Sequence, residues 1–242
     1  MNIQIELDGR RLDLARMHEI SLPIDFSMTK ERAWYIGPPR REPVRLGDWV
    51  GSTREGGSVN FYNLFINPHA HGTHIETASH INHTYSISPV VNPLFLKAYL
   101  FTAAADNSGA LDLLTLWPAL PYDVQAIVIR TLPNSPDKVH TCYSNTNPSF
   151  LTADDAKRLA NSGIFILLID LPSVDPERDN GALAAHHSFW EHQLPHSPKP
   201  ALIGEFLYIP DALPDGPYAL HIQHPAMYTD AVPARVFLIP YI

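Results

Sequence analysis

The spacing of apolar residues predicts a chain built mainly from short strands. Apolar and polar residues alternate over residues 3–7, as in a half-buried strand, and Asp8-Gly9 is typical of a hairpin turn. A second hairpin is predicted around residues 54–57, between the segments 48–51 and 58–66. Further strands are predicted at residues 94–101, 124–130, 201–206, 218–222 and 235–239.

The clearest helical signal lies in the second half of the chain. Thr152-Ala-Asp-Asp155 resembles a capping box, good helix formers follow over 153–161, and Gly163 stands where a helix commonly ends. The apolar run 164–169 is typical of a strand buried on both faces. Two other helices are predicted, at 111–117 and 183–192. The pattern favours a single α/β domain over residues 1–242, with strand-rich mixed sheets and a few flanking helices.

Composition excludes several classes of protein. The formal net charge is −8, and no basic run is longer than Arg40-Arg41, which argues against nucleic-acid partners. The longest apolar run, 164–169, is far shorter than the ~20 residues of a membrane-spanning helix, so no membrane partner is expected. The first residues carry no secretory signal pattern, which predicts a cytoplasmic protein. The single cysteine, Cys142, excludes an internal disulfide and a thiolate metal cage.

The distribution of histidines is the first indication of a functional site. The chain has 13 histidines, and most of them are clustered. Histidine is a common metal ligand and general acid or base, so clusters in distant segments predict a site assembled from several parts of the chain. The clusters are His69, His71, His74, His80 and His83; His186, His187, His192 and His196; and His221 with His224.

The first cluster reads His69-Ala-His71-Gly-Thr-His74-Ile-Glu76-Thr-Ala-Ser-His80. In an extended chain His74, Glu76 and His80 share one face, so they could reach the same ion. Imidazole nitrogen together with carboxylate oxygen suits Zn²⁺, Mn²⁺ or Fe²⁺ rather than Ca²⁺. Thr73 is either a support for a ligand or an ordinary turn hydroxyl.

This motif resembles the His-x-Gly-Thr-His-x-Asp-x-Pro-x-His signature of the cyclase family of metal-dependent hydrolases, which includes kynurenine formamidase and isatin hydrolase. Further pieces resemble the family in the same order: Asp170-Leu-Pro-Ser-Val-Asp175, Ala185-His186 and Ile203-Gly-Glu205-Phe-Leu. Together they cover roughly residues 60–210. The resemblance implies a barrel-like β/β/α core.

The motif departs from the family pattern at three points. The first family histidine falls on Ala70, so His69 or His71 takes its place, and His69 is favoured because Asn67-Pro68 ends the preceding strand. The family aspartate is Glu76 and the family proline is Ala78. A longer carboxylate beside a shifted histidine could change the number of ions from two to one.

The resemblance implies hydrolysis of an amide or formamide C–N bond in a small, possibly aromatic, substrate by metal-activated water, as in an arylformamidase. The expected ligands of a divalent ion, Zn²⁺ or Mn²⁺, are His69, His74, Glu76, His186 and Glu205. A carboxylate in the apolar segment around Glu205 is costly unless it is paired or metal-bound. His80 is expected to move the proton to the leaving nitrogen. The resemblance also suggests a homo-oligomer, a dimer or tetramer.

The sequence also allows other functions. The same residues could catalyse a metal-dependent cyclisation, dehydration, isomerisation or lactone hydrolysis, or the chain could bind metal or ligand without catalysis. His69-x-His71 followed by Glu76 also imitates the cupin metal motif, but the helix–Gly–buried strand unit at 152–169 does not fit an all-β barrel.

Overall fold

A computed structural model describes residues 4–82, 95–193 and 201–242. Residues 3 and 94, at the ends of two predicted strands, lie outside this part, as do His83 and His196. The described strands β1 to β15 are, in chain order, Glu6–Leu7, Arg10–Arg11, His18–Glu19, Arg40–Pro43, Arg45–Leu46, Trp49–Val50, Tyr62–Phe65, His74–Glu76, Leu96–Ala104, Ala126–Leu132, Ile166–Ile169, Leu202–Glu205, Gly216–Gln223, Ala231–Pro233 and Arg235–Ile239. The α-helices α1 to α4 are Pro68–His71, Leu116–Ala119, Ala153–Asn161 and Ala184–Gln193.

Nine of these strands form one mixed sheet, in the order β14-β8-β12-β11-β10-β9-β13-β15-β3. The central strands β12, β11, β10 and β9 run parallel to one another, and the remaining pairs are antiparallel. The sheet curls into a half-barrel, which confirms the predicted strand-rich α/β class. The parallel centre also excludes the cupin alternative, whose barrel has no such unit.

The sheet has a hydrophobic core on each face. Along β11 the side chains of Leu167 and Ile169 pack on one face, with helices α3 and α4, while Ile166 and Leu168 pack on the other. All four are fully buried, as the continuous apolar run predicts for a strand covered on both sides. The chemistry described below lies on the face that carries α4.

Helix α3 begins and ends where the capping signals place it. The Thr152 hydroxyl accepts a hydrogen bond from the Asp155 amide at 3.1 Å and donates one to the Asp155 carboxylate at 2.7 Å. Gly163 follows with φ +87°, a conformation that favours glycine. Within the described residues, no helix is long and apolar enough to cross a membrane.

The second predicted hairpin is formed in part: the Phe61 amide donates to the Gly51 carbonyl at 3.0 Å, but the strands of the two segments pair elsewhere. β6 pairs with β5 across the tight turn at Gly47, whose φ is +57°, so Trp49 and Val50 are already paired before the 54–57 segment begins. β7 pairs instead with β4, from Arg40↔Phe65 to Pro43↔Tyr62. These four strands form two ribbons outside the nine-stranded sheet.

The short helix predicted at 111–117 is shifted to α2. Ala105 and Leu111 form an antiparallel bridge, and the Asp112 amide donates to the Ala104 carbonyl at 2.8 Å. Because these backbone groups are already bonded in an extended arrangement, the helix does not begin at residue 111, and α2 starts at Leu116.

Candidate metal centre

Strand β8 brings His74 and Glu76 to one face of the sheet. It lies between β12 and β14, with Glu205 directly opposite His74 and Ile203 opposite Glu76. Residues directly opposite one another in an antiparallel pair project to the same side, so these two strands present His74, Glu76 and Glu205 together. The predicted shared face of His74 and Glu76 is therefore present, and Glu205 joins it from the neighbouring strand.

The backbone before β8 is anchored by Thr73. Its hydroxyl accepts a hydrogen bond from the Leu22 amide at 2.7 Å and donates one to the Phe206 carbonyl. These two bonds fix the chain beside His74 and Glu205. A Cβ at Gly72 would lie 3.0 Å from the Leu22 carbonyl oxygen, so glycine permits this close approach.

The one-turn helix α1 carries both histidines that could begin the motif and directs their side chains to different places. His69 turns toward β8, with its Nδ1 3.2 Å from Glu76 Oε2. His71 is held elsewhere, because its Nδ1 accepts from the Asn67 amide and its Nε2 donates to the Gly37 carbonyl, both at 2.9 Å. The structure thus places His69, and not His71, beside the carboxylate.

Helix α4 contributes His186 from the other side of the cluster. The His186 Nε2 lies 2.8 Å from Glu76 Oε1 and 3.6 Å from Glu205 Oε1. Asp175 fixes the start of α4 by accepting from the Ala185 and His186 amides, and it also accepts from His186 Nδ1 at 2.5 Å. His187 points away, where it pairs with Glu191 on the surface.

His80 reaches the cluster by a different route from the predicted one. The extended strand ends at Glu76, and residues 78–80 form a 3-10 turn that begins with the Thr77 hydroxyl accepting from the Ser79 amide. The prediction that His80 continues the strand face is therefore wrong. The turn nevertheless brings its Nδ1 to 3.9 Å from Glu76 Oε2, and its ring centroid lies 4.3 Å from that of His69.

Asp230 is a member of the cluster that the sequence did not predict. Its Oδ2 lies 2.8 Å from His69 Nε2 and 3.4 Å from His80 Nδ1. The Thr77 amide donates to the Asp230 carbonyl at 3.1 Å, which holds this residue at the end of β8. The adjoining strand β14 has only three residues and no periodic pattern, so no sequence signal marks its position.

Among the residues that the structure describes, two buried polar atoms at the centre of the cluster have no hydrogen-bond partner: His74 Nε2 and Glu76 Oε2. Both residues are fully buried, and an unsatisfied buried polar atom costs about 1–3 kcal/mol. The His74 Nδ1–H donates to the Gly72 carbonyl at 3.1 Å, which leaves the Nε2 lone pair facing inward toward Glu205 at 3.4 Å. A lone pair and a carboxylate oxygen left unsatisfied among further donor groups are what a cation would satisfy.

Within the described parts of the chain, three overlapping groups of residues have ligand atoms close enough to hold an ion. They are His69, His74 and Glu76; Glu76, His80 and His186; and His69, His80 and Asp230. Glu76, His69 and His80 each belong to two of the groups, and the Glu76 carboxylate lies near nitrogens of His69, His80 and His186. Imidazole and carboxylate donors suit Zn²⁺ or Mn²⁺.

The carboxylates of the cluster raise the pKa of two neighbouring histidines. Burial alone would lower the pKa of His69, but the hydrogen bond to Asp230 and the charge of Glu76 outweigh it and raise that pKa to about 10. Burial likewise opposes ionisation of His186, and Glu76 and Asp175 overcome it and raise its pKa. Burial would raise the pKa of Glu76, yet the charge of His186 lowers it well below its usual value. Glu76 is thus ionised, as a metal ligand must be, and an ion bound beside it would displace the protons that face it from His69 and His186.

Comparison with known proteins found relatives along most of the chain, although no family model matches it. The kynurenine formamidase of Bacillus cytotoxicus is 27% identical over 194 residues, which cover 79% of this chain and 86% of the relative. The kynurenine formamidase of Bacillus cereus is 29% identical over 191 residues, which cover 78% and 84%.

Solved structures show the same fold at lower sequence identity. A predicted metal-dependent hydrolase from Bacillus stearothermophilus matches with a TM-score of 0.62 at 20% identity, covering 93% of this chain and 98% of that one. An isatin hydrolase bound to the product analogue thioisatinate matches with a TM-score of 0.65 at 13% identity, covering 94% and 93%.

Proposed function

We propose that this chain, whose relatives and fold support its assignment to the cyclase family of metal-dependent hydrolases, cleaves an amide or formamide C–N bond of a small substrate. The observation that carries the proposal is the pair of buried, unsatisfied atoms His74 Nε2 and Glu76 Oε2 at the centre of a histidine–carboxylate cluster. A fold that used this cluster only for stability would leave these two atoms at a cost that apolar side chains avoid.

The residues that would hold one or two ions are those that converge on Glu76. They supply nitrogen and carboxylate oxygen, which favours Zn²⁺ or Mn²⁺. When bound, the ion would lower the pKa of a water toward about 7 and polarise a carbonyl oxygen. The proposed ligands are His69, His74, Glu76, His186 and Glu205.

Hydrogen bonds from outside the cluster hold two of the proposed ligands, Glu205 and His186, in place. Glu205 Oε1 accepts a hydrogen bond from the Val174 amide at 2.9 Å, so this carboxylate is fixed from behind while its other oxygen faces His74. Asp175 fixes the orientation of His186 in the same way. Ligands held by such outer contacts need little reorganisation when an ion binds.

We assign the proton transfer to His80. Its side chain is 27% exposed, whereas those of His74 and His186 are 0% and 2% exposed, so His80 lies where a substrate can reach it. The His80 ring is 5.6 Å from the ring of His186 and close to Asp230. From this position the imidazole can deliver a proton to the leaving nitrogen as the C–N bond breaks.

The kynurenine formamidase relatives favour an N-formyl amide attached to an aromatic ring as the first substrate class to test. The replacement of the signature aspartate by Glu76 and of the signature proline by Ala78 changes residues beside the proposed ion, so we do not extend the assignment to formylkynurenine itself.

We also propose that the chain works in the cytoplasm as a homo-oligomer. The two ribbons outside the main sheet support self-association, because Leu46 and Leu64 on them, and Phe61 just before β7, are large exposed apolar side chains. Analytical ultracentrifugation should detect a dimer or tetramer, and the double substitution Phe61→Ser and Leu64→Ser should shift it toward monomer. A wild-type monomer at micromolar concentration would refute the proposal.

The activity can be tested with protein stripped by a chelator and reloaded with Zn²⁺ or Mn²⁺. We expect reloaded protein to hydrolyse formanilide, and stripped protein to be inactive. His80→Ala should lose turnover but retain metal. The control is His187→Ala, which removes the exposed histidine next to His186 on α4 and should keep both turnover and metal. Reloaded protein that turns over lactones but not formamides would favour the lactonase alternative, and metal binding without any turnover would favour a binding protein.

A further inference from the structure

Two histidines of the cluster are fixed from the outside so that one ring nitrogen faces inward. His186 directs Nε2 toward Glu76 while its Nδ1–H donates to Asp175. His74 directs Nε2 inward while its Nδ1–H donates to the Gly72 carbonyl. In each case an acceptor outside the cluster decides which nitrogen carries the proton and which offers a lone pair.

His69 has the same arrangement with its two nitrogens exchanged. Its Nδ1 faces Glu76 Oε2 at 3.2 Å, and its Nε2 lies 2.8 Å from Asp230 Oδ2. The Thr229 hydroxyl donates to the other Asp230 oxygen, Oδ1, at 2.9 Å, which orients Oδ2 toward His69. The Trp34 indole donates to the His69 carbonyl at 2.9 Å and fixes the backbone of this short helix, but not the ring.

We infer that Asp230 is a positioning residue for metal binding: it accepts the Nε2 proton of His69 and so presents the Nδ1 lone pair to the ion proposed beside Glu76. The inference rests on the proposed function, because it gives Asp230 a role toward the same metal centre. It assigns to Asp230, on a distant loop, the part that Asp175 plays for His186.

The competing role for Asp230 is that of a metal ligand, in the group with His69 and His80. A neutral imidazole has one lone pair, so His69 can offer either Nδ1 to an ion beside Glu76 or Nε2 to an ion beside Asp230. The inner position is the more favourable, because Glu76 is fully buried and Asp230 is 41% exposed. An ion beside Asp230 would also leave the buried Glu76 oxygen unsatisfied.

The test measures zinc affinity and zinc stoichiometry in a double-mutant cycle of Asp230→Ala and His69→Ala. Zinc affinity is measured by competition with a chromophoric chelator, and bound zinc is counted by elemental analysis after gel filtration. Asp106→Ala is the matched control. Asp106 also accepts a hydrogen bond from a neighbouring hydroxyl, that of Ser108, but it lies outside the metal cluster. Circular dichroism spectra of all variants verify folding.

In the wild-type background, Asp230→Ala should weaken zinc affinity by about 10–100-fold without changing the number of ions bound. In the His69→Ala background the same substitution should have no further effect, because Asp230 acts through His69. Asp106→Ala should match the wild type.

Three results would overturn the inference. Loss of one zinc ion in Asp230→Ala would make Asp230 a ligand, and an equal loss of affinity in both backgrounds would show that it does not act through His69. An unchanged affinity in Asp230→Ala would remove its role and leave the proposed function intact. Failure of the wild-type protein to bind zinc or manganese would instead refute the proposed function.

Discussion

Replacing Glu76 by glutamine removes one charge from the centre of the cluster with little change in side-chain volume. Three histidine nitrogens lie near the Glu76 carboxylate: His186 Nε2 at 2.8 Å, His69 Nδ1 at 3.2 Å and His80 Nδ1 at 3.9 Å. The carboxylate is fully buried, so no solvent can take its place. We expect Glu76→Gln to be the single substitution that most weakens metal binding.

The size of the effect follows from linkage between binding and stability. A metal ion present at 100 times its dissociation constant stabilises the folded protein by about 2.7 kcal/mol. For a chain of this length, each kcal/mol corresponds to about 2–4 °C, so the melting temperature should rise by about 5–11 °C. If Glu76→Gln weakens binding about 100-fold, the same metal concentration gives only about 0.4 kcal/mol, or about 1–2 °C.

The assay is thermal unfolding of wild-type and Glu76→Gln protein with chelator and with Zn²⁺ or Mn²⁺. Glu191→Gln is the control, because Glu191 also pairs with a histidine but is exposed on α4. The control should respond to metal like the wild type. A metal-induced rise of equal size in Glu76→Gln and in the wild type would refute the assignment of Glu76 as the central ligand.

Three further predictions concern the proton donor, a helix cap and a surface ion pair. His80→Ala should lower turnover by about 10²–10⁴-fold and leave zinc content unchanged, as measured by steady-state kinetics and elemental analysis; loss of zinc would make His80 a ligand. Thr152→Ala should lower the melting temperature by about 2–4 °C, since a lost N-cap costs about 1 kcal/mol; an unchanged value would contradict the cap. The hydrogen bond from Arg235 lowers the pKa of Glu19. The Arg235–Glu19 pair therefore stabilises the fold above pH 4.5, the pKa of Glu19 in the unfolded chain, and this stabilisation is lost as the pH falls through the pKa of Glu19 in the folded protein. Urea titrations should find Glu19→Gln less stable than wild type by about 0.2–1 kcal/mol at neutral pH and equal to it near pH 3; a difference that persists in acid would refute the role of charge.

The sequence was most informative where local signals agree with tertiary contacts. Helix α3 occupies the predicted residues 153–161, because Thr152 and Gly163 provide its caps and its apolar side chains pack against the buried strand β11. Strand β15 also has its predicted bounds. The second predicted hairpin formed only in part, because a glycine turn at Gly47 pairs its first strand with an earlier segment, and hydrophobic alternation does not specify a partner.

The candidate site could be predicted only in part, for a physical reason. Its residues on β8 and β12 belong to recognisable motifs, and the structure brings all of them together around Glu76. Asp230 lies 161 residues from His69 and is placed by the pairing of the three-residue strand β14 with β8. Long-range pairing of so short a strand depends on the whole sheet, so neither spacing nor periodicity could identify it.

Anomalous X-ray diffraction from crystals grown with Zn²⁺ or Mn²⁺ tests the central claim most directly. The account predicts an anomalous peak inside the buried cluster, in contact with Glu76 Oε2 and His74 Nε2, the two atoms that have no hydrogen-bond partner. Metal found only at exposed histidines such as His187, with none in contact with Glu76, would contradict it.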